Sequence, residues 1–77
     1  MPHDITGDID RKYTNWLGKE IEITHVQVTY YTPKDDYKRV EAVPIDKANQ
    51  LANKPGVRGA YVSEMYDKDE ALKRGYM

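Results

Sequence analysis

Cysteine and phenylalanine are both missing from this chain of 77 residues. Without cysteine there is no disulfide and no thiolate metal centre to brace the core, which suits a reducing compartment. At this length the core is thin, because folding removes only about 60% of the unfolded surface from water. One domain, residues 1–77, is expected, and pairing with a second copy is the remaining common way to bury more apolar surface. An excess of either charge is also missing: twelve Lys and Arg stand against thirteen Asp and Glu, for a net charge of −1. That balance argues against a strongly basic nucleic-acid binder and against an acidic mimic of one. No apolar run approaches the ~20 residues of a membrane span. The opening "MPHDITGDID" is polar and acidic, unlike the apolar core of a secretory leader, so a cytoplasmic location with no membrane contact is expected.

What the chain has instead is tyrosine, seven of them beside one tryptophan. Tyrosine buries a ring but needs a partner or water for its hydroxyl. Enrichment in Tyr without Phe fits half-exposed positions and interfaces. The plainer reading is a small domain whose thin core leaves every ring partly wet.

Periodicity predicts six elements. In "TGDIDRKYTNWLGK" residues Ile9, Tyr13, Trp16 and Leu17 share one helical face, Thr6 or Asp8 can cap the start, and Gly18 stands where a helix ends. This predicts a first helix, with Trp16 docking it onto the body of the domain. "EIEITHVQVTYYT" predicts a long strand. Its alternation changes phase between Ile21/Ile23 and Val26/Val28/Tyr30, which a bulge near Thr24-His25 would reconcile. "YKRVEAVPI" predicts a second strand, joined to the first by a hairpin, and Pro44 ends it or sits on a sheet edge.

Two registers are open to that hairpin. A five-residue loop, Thr32 to Asp36, sets Tyr31 opposite Tyr37, Val28 opposite Val40 and Val26 opposite Ala42. A four-residue loop sets Val28 opposite Glu41 and Val26 opposite Val43. The five-residue loop gives the more consistent apolar cluster and is the register expected.

"DKANQLANKPG" predicts a short helix capped by Asp46, with Ala48, Leu51 and Ala52 inward and Pro55-Gly56 as the stop. "VRGAYVSEMY" predicts a third strand, in which Gly59 marks a bulge or close backbone approach. "DKDEALKRG" carries a capping pair, Asp67 and Glu70, and predicts a C-terminal helix. The expected fold is α+β with topology α-β-β-α-β-α: a small antiparallel three-stranded sheet in spatial order 2-1-3, helices on one face and the other face open.

Familiar chemistries find little support. The histidines are His3 and His25, and Asp4, Asp8 and Asp10 lack the glycine and terminal glutamate of a calcium loop, so no metal is expected. These acids read more simply as complementing a helix start. Ser63, the single serine, has no G-x-S-x-G around it. Glu41, Glu64 and the Asp35-Asp36 pair read as solvated carboxylates with no deep pocket implied. "KPGVRGAY" lacks the spacing and lysine of a phosphate loop. Neither a cofactor nor an enzyme activity is expected.

The open sheet face is the sharper feature. In the expected register it carries His25, Gln27, Thr29 and Tyr31, then Tyr37, Arg39, Glu41 and Val43, with Tyr61 and Ser63 joining from the third strand. Tyr31, Tyr37, Arg39, Tyr61, Thr29 and Gln27 are the candidate partner-binding residues, since Tyr and Arg are enriched among interface hot spots. Cross-strand pairs that merely stabilise a solvated hairpin are the alternative. The expected function is a non-enzymatic protein-binding module, a small inhibitor or regulator that occupies a partner protein's surface, of the kind phages and mobile elements use against a host or defence factor. The alternatives are a single-stranded nucleic-acid binder that stacks bases on the same tyrosines, disfavoured by the neutral charge, and a structural subunit of a homodimer or larger homo-oligomer.

Overall fold

The computed structural model describes residues 4–77, with the backbone alone at Asp35; His3 lies outside the described residues. In chain order the elements are β1 (Lys12–Thr14), β2 (Glu20–Thr32), β3 (Tyr37–Pro44), α1 (Ile45–Ala52), β4 (Arg58–Asp67) and α2 (Lys68–Lys73). The fold is α+β, an antiparallel sheet with two helices, and β2 is hydrogen-bonded to all three other strands. β2 lies between β3 and β4, the order expected for those three. β1 makes a fourth strand and takes the end of β2 that they leave, Glu20–Glu22.

That fourth strand replaces the expected first helix. β1 and β2 form a hairpin around Trp16-Leu17-Gly18, and Asn15 organises it. The Asn15 side-chain oxygen accepts from the backbone N–H of Leu17 at 3.0 Å and of Lys19 at 2.9 Å. Gly18 donates to the Asn15 carbonyl at 2.9 Å and sits at φ 79°, a conformation that a side chain disfavours. This is a three-residue hairpin loop closed by a left-handed glycine. An asparagine that satisfies backbone donors locally competes with a helix, and a short helix holds only when its face is packed. Trp16 does not dock on the body; it stands 91% exposed at the hairpin tip.

Along β2 the phase change is real. The register with β4 slips between Ile23 and His25, leaving Thr24 as the extra residue. Ile21 and Ile23 thereby join Val26, Val28 and Tyr30 in one core cluster with Ile45 and Ala48. Val26 and Val28 are fully buried. Each such side chain is worth about 1.5–3 kcal/mol relative to exposure.

The β2–β3 hairpin adopts the four-residue loop, not the five-residue one. Val26 lies opposite Val43, Val28 opposite Glu41, Tyr31 opposite Lys38 and Thr32 opposite Tyr37. Pro33 opens a single 3-10 turn, Pro33–Asp35, and Asp36 closes it in the left-handed conformation at φ 49°, donating its N–H to the Pro33 carbonyl at 3.1 Å. Proline pre-sets the φ required at the start, and aspartate tolerates the left-handed region better than most residues. Thr32 Oγ1 donates across the loop to the Tyr37 carbonyl at 3.2 Å.

α1 starts directly from Pro44. Asp46 lies in its first turn rather than at the cap, and binds Arg11 at 2.7 Å. Ile45, Ala48 and Ala52 are its buried residues. In β4 a further register slip falls between Tyr61 and Arg58, at Gly59, whose φ is 59°. α2 is capped by the Asp67 side chain, which accepts from the Glu70 N–H at 2.8 Å. The Glu70 carboxylate does not reach back to complete a capping box; it binds Arg74 at 2.7 Å.

After Gly75 the chain turns so that Tyr76 rests on His25 and Tyr66, at ring separations of 6.1 and 5.4 Å. The molecule measures 45 × 28 × 17 Å with a radius of gyration of 13.6 Å. A compact chain of this length would have a radius of gyration of about 11.5 Å, so the fold is flat and elongated.

Candidate functional site

Residues paired across an antiparallel sheet share a face, which sorts the paired residues of β2, β3 and β4; Ser63, the extra residue where the register slips between Gln27 and Val28, has no partner in β2. Tyr31, Thr29, Gln27 and His25 share one face with Lys38, Val40, Ala42 and Pro44 of β3. On the β4 side Thr29 pairs with Tyr61, Gln27 with Glu64, Tyr31 with Arg58 and His25 with Tyr66. Val26, Val28 and Tyr30 face the other way, beside Val43, Glu41 and Arg39.

Four of the six candidate residues are therefore brought together: Tyr31, Tyr61, Thr29 and Gln27. Tyr37 and Arg39 are not among them, nor are Glu41 and Val43. The one-residue difference in loop length turns those four onto the face of Tyr30. There the Arg39 guanidinium lies 5.5 Å from the centre of the Tyr37 ring. Tyr30 donates its hydroxyl to Glu41, and that bond, reinforced by burial, holds the hydroxyl above its ordinary value.

The Tyr31–Tyr61 face has a polar spine and an apolar surface. Thr29, itself buried, donates to Ser63 Oγ at 2.9 Å. Ser63 Oγ lies 3.2 Å from the Gln27 carbonyl and 3.1 Å from Gln27 Oε1. The hydroxyl of the one serine is thus held by a threonine and a glutamine rather than by a base. Above this spine stand Tyr31, 39% exposed, Tyr61, 49%, and Val40, 54%. Tyr31 donates to Asp36 at 2.8 Å, which fixes its ring and raises its hydroxyl above the usual range. At the far end of the same face Tyr76 covers His25 and Tyr66, and the Arg74 guanidinium lies 4.8 Å from the Tyr66 ring.

Val40, Lys38 and Arg58 belong to this face, and the expected face included none of them. The signal lay in "TPKDD": proline at the start of the turn and aspartate at its left-handed end mark a loop that begins after Thr32. Among the described residues no group of three or more His, Asp and Glu side chains is placed to hold a metal ion. Among them, too, no helix is long and apolar enough to cross a membrane. No family model matches the chain, and no curated protein or solved structure is significantly similar to it.

Proposed function

We propose that the protein is a non-enzymatic binding module that presses its Tyr31–Tyr61 face against a partner protein and acts as an inhibitor or regulator by occupying that partner's surface. The observation that carries this reading is the exposure of Tyr31, Tyr61 and Val40 around a hydrogen-bonded floor of Thr29, Ser63 and Gln27. Two tyrosines and a valine held over a rigid sheet offer contact area at low entropic cost, as interface anchors do. The phenol of Tyr31 is already fixed by Asp36, so little freedom is lost on contact.

The test is affinity capture from the native host with the wild type beside Tyr31→Ala/Tyr61→Ala. The double variant is expected to keep its circular dichroism spectrum and lose a partner that the wild type retains. An identical set of captured proteins would remove this reading.

A second reading has its own observation. By register Tyr31 lies between Lys38 and Arg58, an aromatic flanked by two cations. Such a grouping suits a base stacked on the ring with its phosphate beside it. This reading predicts binding of a single-stranded oligonucleotide that weakens steeply with salt. No binding at low salt eliminates it.

A further inference from the structure

A second apolar surface lies away from the Tyr31–Tyr61 face. Tyr13 pairs with Ile21, Met65 with Val26 and Val62 with Val28, so these side chains look toward the core-cluster side of the sheet. They border a recess of about 260 Å³ lined by Tyr13, Ile23, Val62, Ser63, Glu64 and Met65. Tyr13 and Met65 remain about half exposed around it. Just beyond Tyr13, the hairpin tip presents Trp16 and Leu17, the former almost bare. Four hydrogen bonds fix this tip: two to the Asn15 side chain, one from Gly18 to the Asn15 carbonyl, and one from Asn15 to the Lys19 carbonyl. Lys19 is tied down in turn to Asp69 at 3.1 Å. The loop is too short and too firmly held for Trp16 to reach the recess of its own chain.

The geometry points to a symmetric dimer in which Trp16 of each copy fills the Tyr13–Ile23–Met65 recess of the other. Knob and recess lie on opposite sides of Tyr13: three residues toward the tip, and two residues from its pairing partner Ile21 toward Ile23. At about 3.3 Å per residue both are roughly 7–10 Å from Tyr13. A two-fold axis beside Tyr13 superposes each knob on the other copy's recess, the self-complementarity that a two-fold interface requires.

Taking about 150–250 Å² for a fully exposed large side chain, the bare parts of Tyr13, Trp16, Leu17 and Met65 come to roughly 500 Å² per copy. Two copies then bury about 1,000 Å², the lower limit for a specific interface, so a concentration-dependent dimer is expected. Both Tyr31–Tyr61 faces stay free in this dimer.

Trp16 is the single tryptophan, so its fluorescence reports on the contact directly. A dilution series followed by sedimentation and by emission should show the 9.0 kDa chain doubling in mass as the indole emission shifts to the blue. Trp16→Ala, and separately Met65→Glu, should weaken association about tenfold or more, while at concentrations where both are monomeric the Trp16→Ala variant keeps the wild-type thermal midpoint. Tyr31→Ala/Tyr61→Ala should dimerise like the wild type, which separates this proposal from the binding role of the other face. A strict monomer whose emission stays that of hydrated indole overturns the proposal. So does a dimer that persists unchanged in Trp16→Ala.

Discussion

The two hairpins that share β2 solve the same problem by different chemistry. At one end Asn15 gathers the backbone donors of Leu17 and Lys19, and Gly18 supplies the left-handed residue. At the other, Pro33 starts the turn, and Asp36 supplies the left-handed residue while anchoring the Tyr31 ring. The first loop leaves its largest side chain, Trp16, bare in solvent. The second folds its acid back onto the sheet. Turn chemistry thus decides more than chain reversal: it decides which rings are pinned and which are displayed.

The largest effect should come from the segment both hairpins share. Val28→Ala is expected to cost about 2 kcal/mol. It should lower the urea midpoint of the whole molecule in one transition; two transitions would mean that the hairpins melt separately and are not comparable parts of one unit. The next effect belongs to the Asn15–Gly18 loop. A Cβ on Gly18 meets nothing within 4 Å, so Gly18→Ala carries only the backbone penalty. That penalty is about 1 kcal/mol. Asn15→Ala, losing two hydrogen bonds at an exposed site, should cost about the same. Equal stability of these variants and the wild type in a denaturant titration would show that the loop is not held as described. Pro33→Ala should cost less, about 0.5 kcal/mol, through the freedom it returns to the unfolded chain.

The smallest effect is confined to alkaline solution and compares neighbouring tyrosines. The Glu41 hydrogen bond, then burial, raises Tyr30, and the Asp36 hydrogen bond, then burial, raises Tyr31, both from 10.0. The unfolded chain therefore releases these protons first as pH rises. The stability they contribute is complete below about pH 10 and is lost as pH climbs through the folded values. Tyr30→Phe should flatten this alkaline decline more than Tyr31→Phe, because Tyr30 is buried and Tyr31 is well exposed. Denaturant midpoints on either side of pH 10 check the order, and an unchanged decline in Tyr30→Phe counts against the Glu41 bond.

Much of the fold is legible in the chain. The alternation of β2, its bulge at Thr24, the irregularity at Gly59 and the Asp67 cap of α2 each rest on neighbours in sequence. The first hairpin was written there too, as asparagine with glycine three residues on. The helical spacing of Ile9, Tyr13, Trp16 and Leu17 masked it, because such spacing predicts a helix only if something covers that face. The candidate face was half legible. The β2 residues Tyr31, Thr29 and Gln27 follow from period two alone. The β3 residues required the loop boundary, where Tyr37 and Arg39 exchange places with Lys38 and Val40.

By itself, then, the sequence determined the α+β class, the central position of β2 and the local devices that start and stop its elements. All of these depend on hydrogen bonds and apolar periodicity within a few residues. Only the tertiary structure decided the pairing of β2 with β3, and with it which side chains share a face. A one-residue slip changes little locally but inverts a whole strand, so its outcome is settled where distant strands pack together. The exposure of Trp16 was decided in the same way, by what the rest of the fold left uncovered.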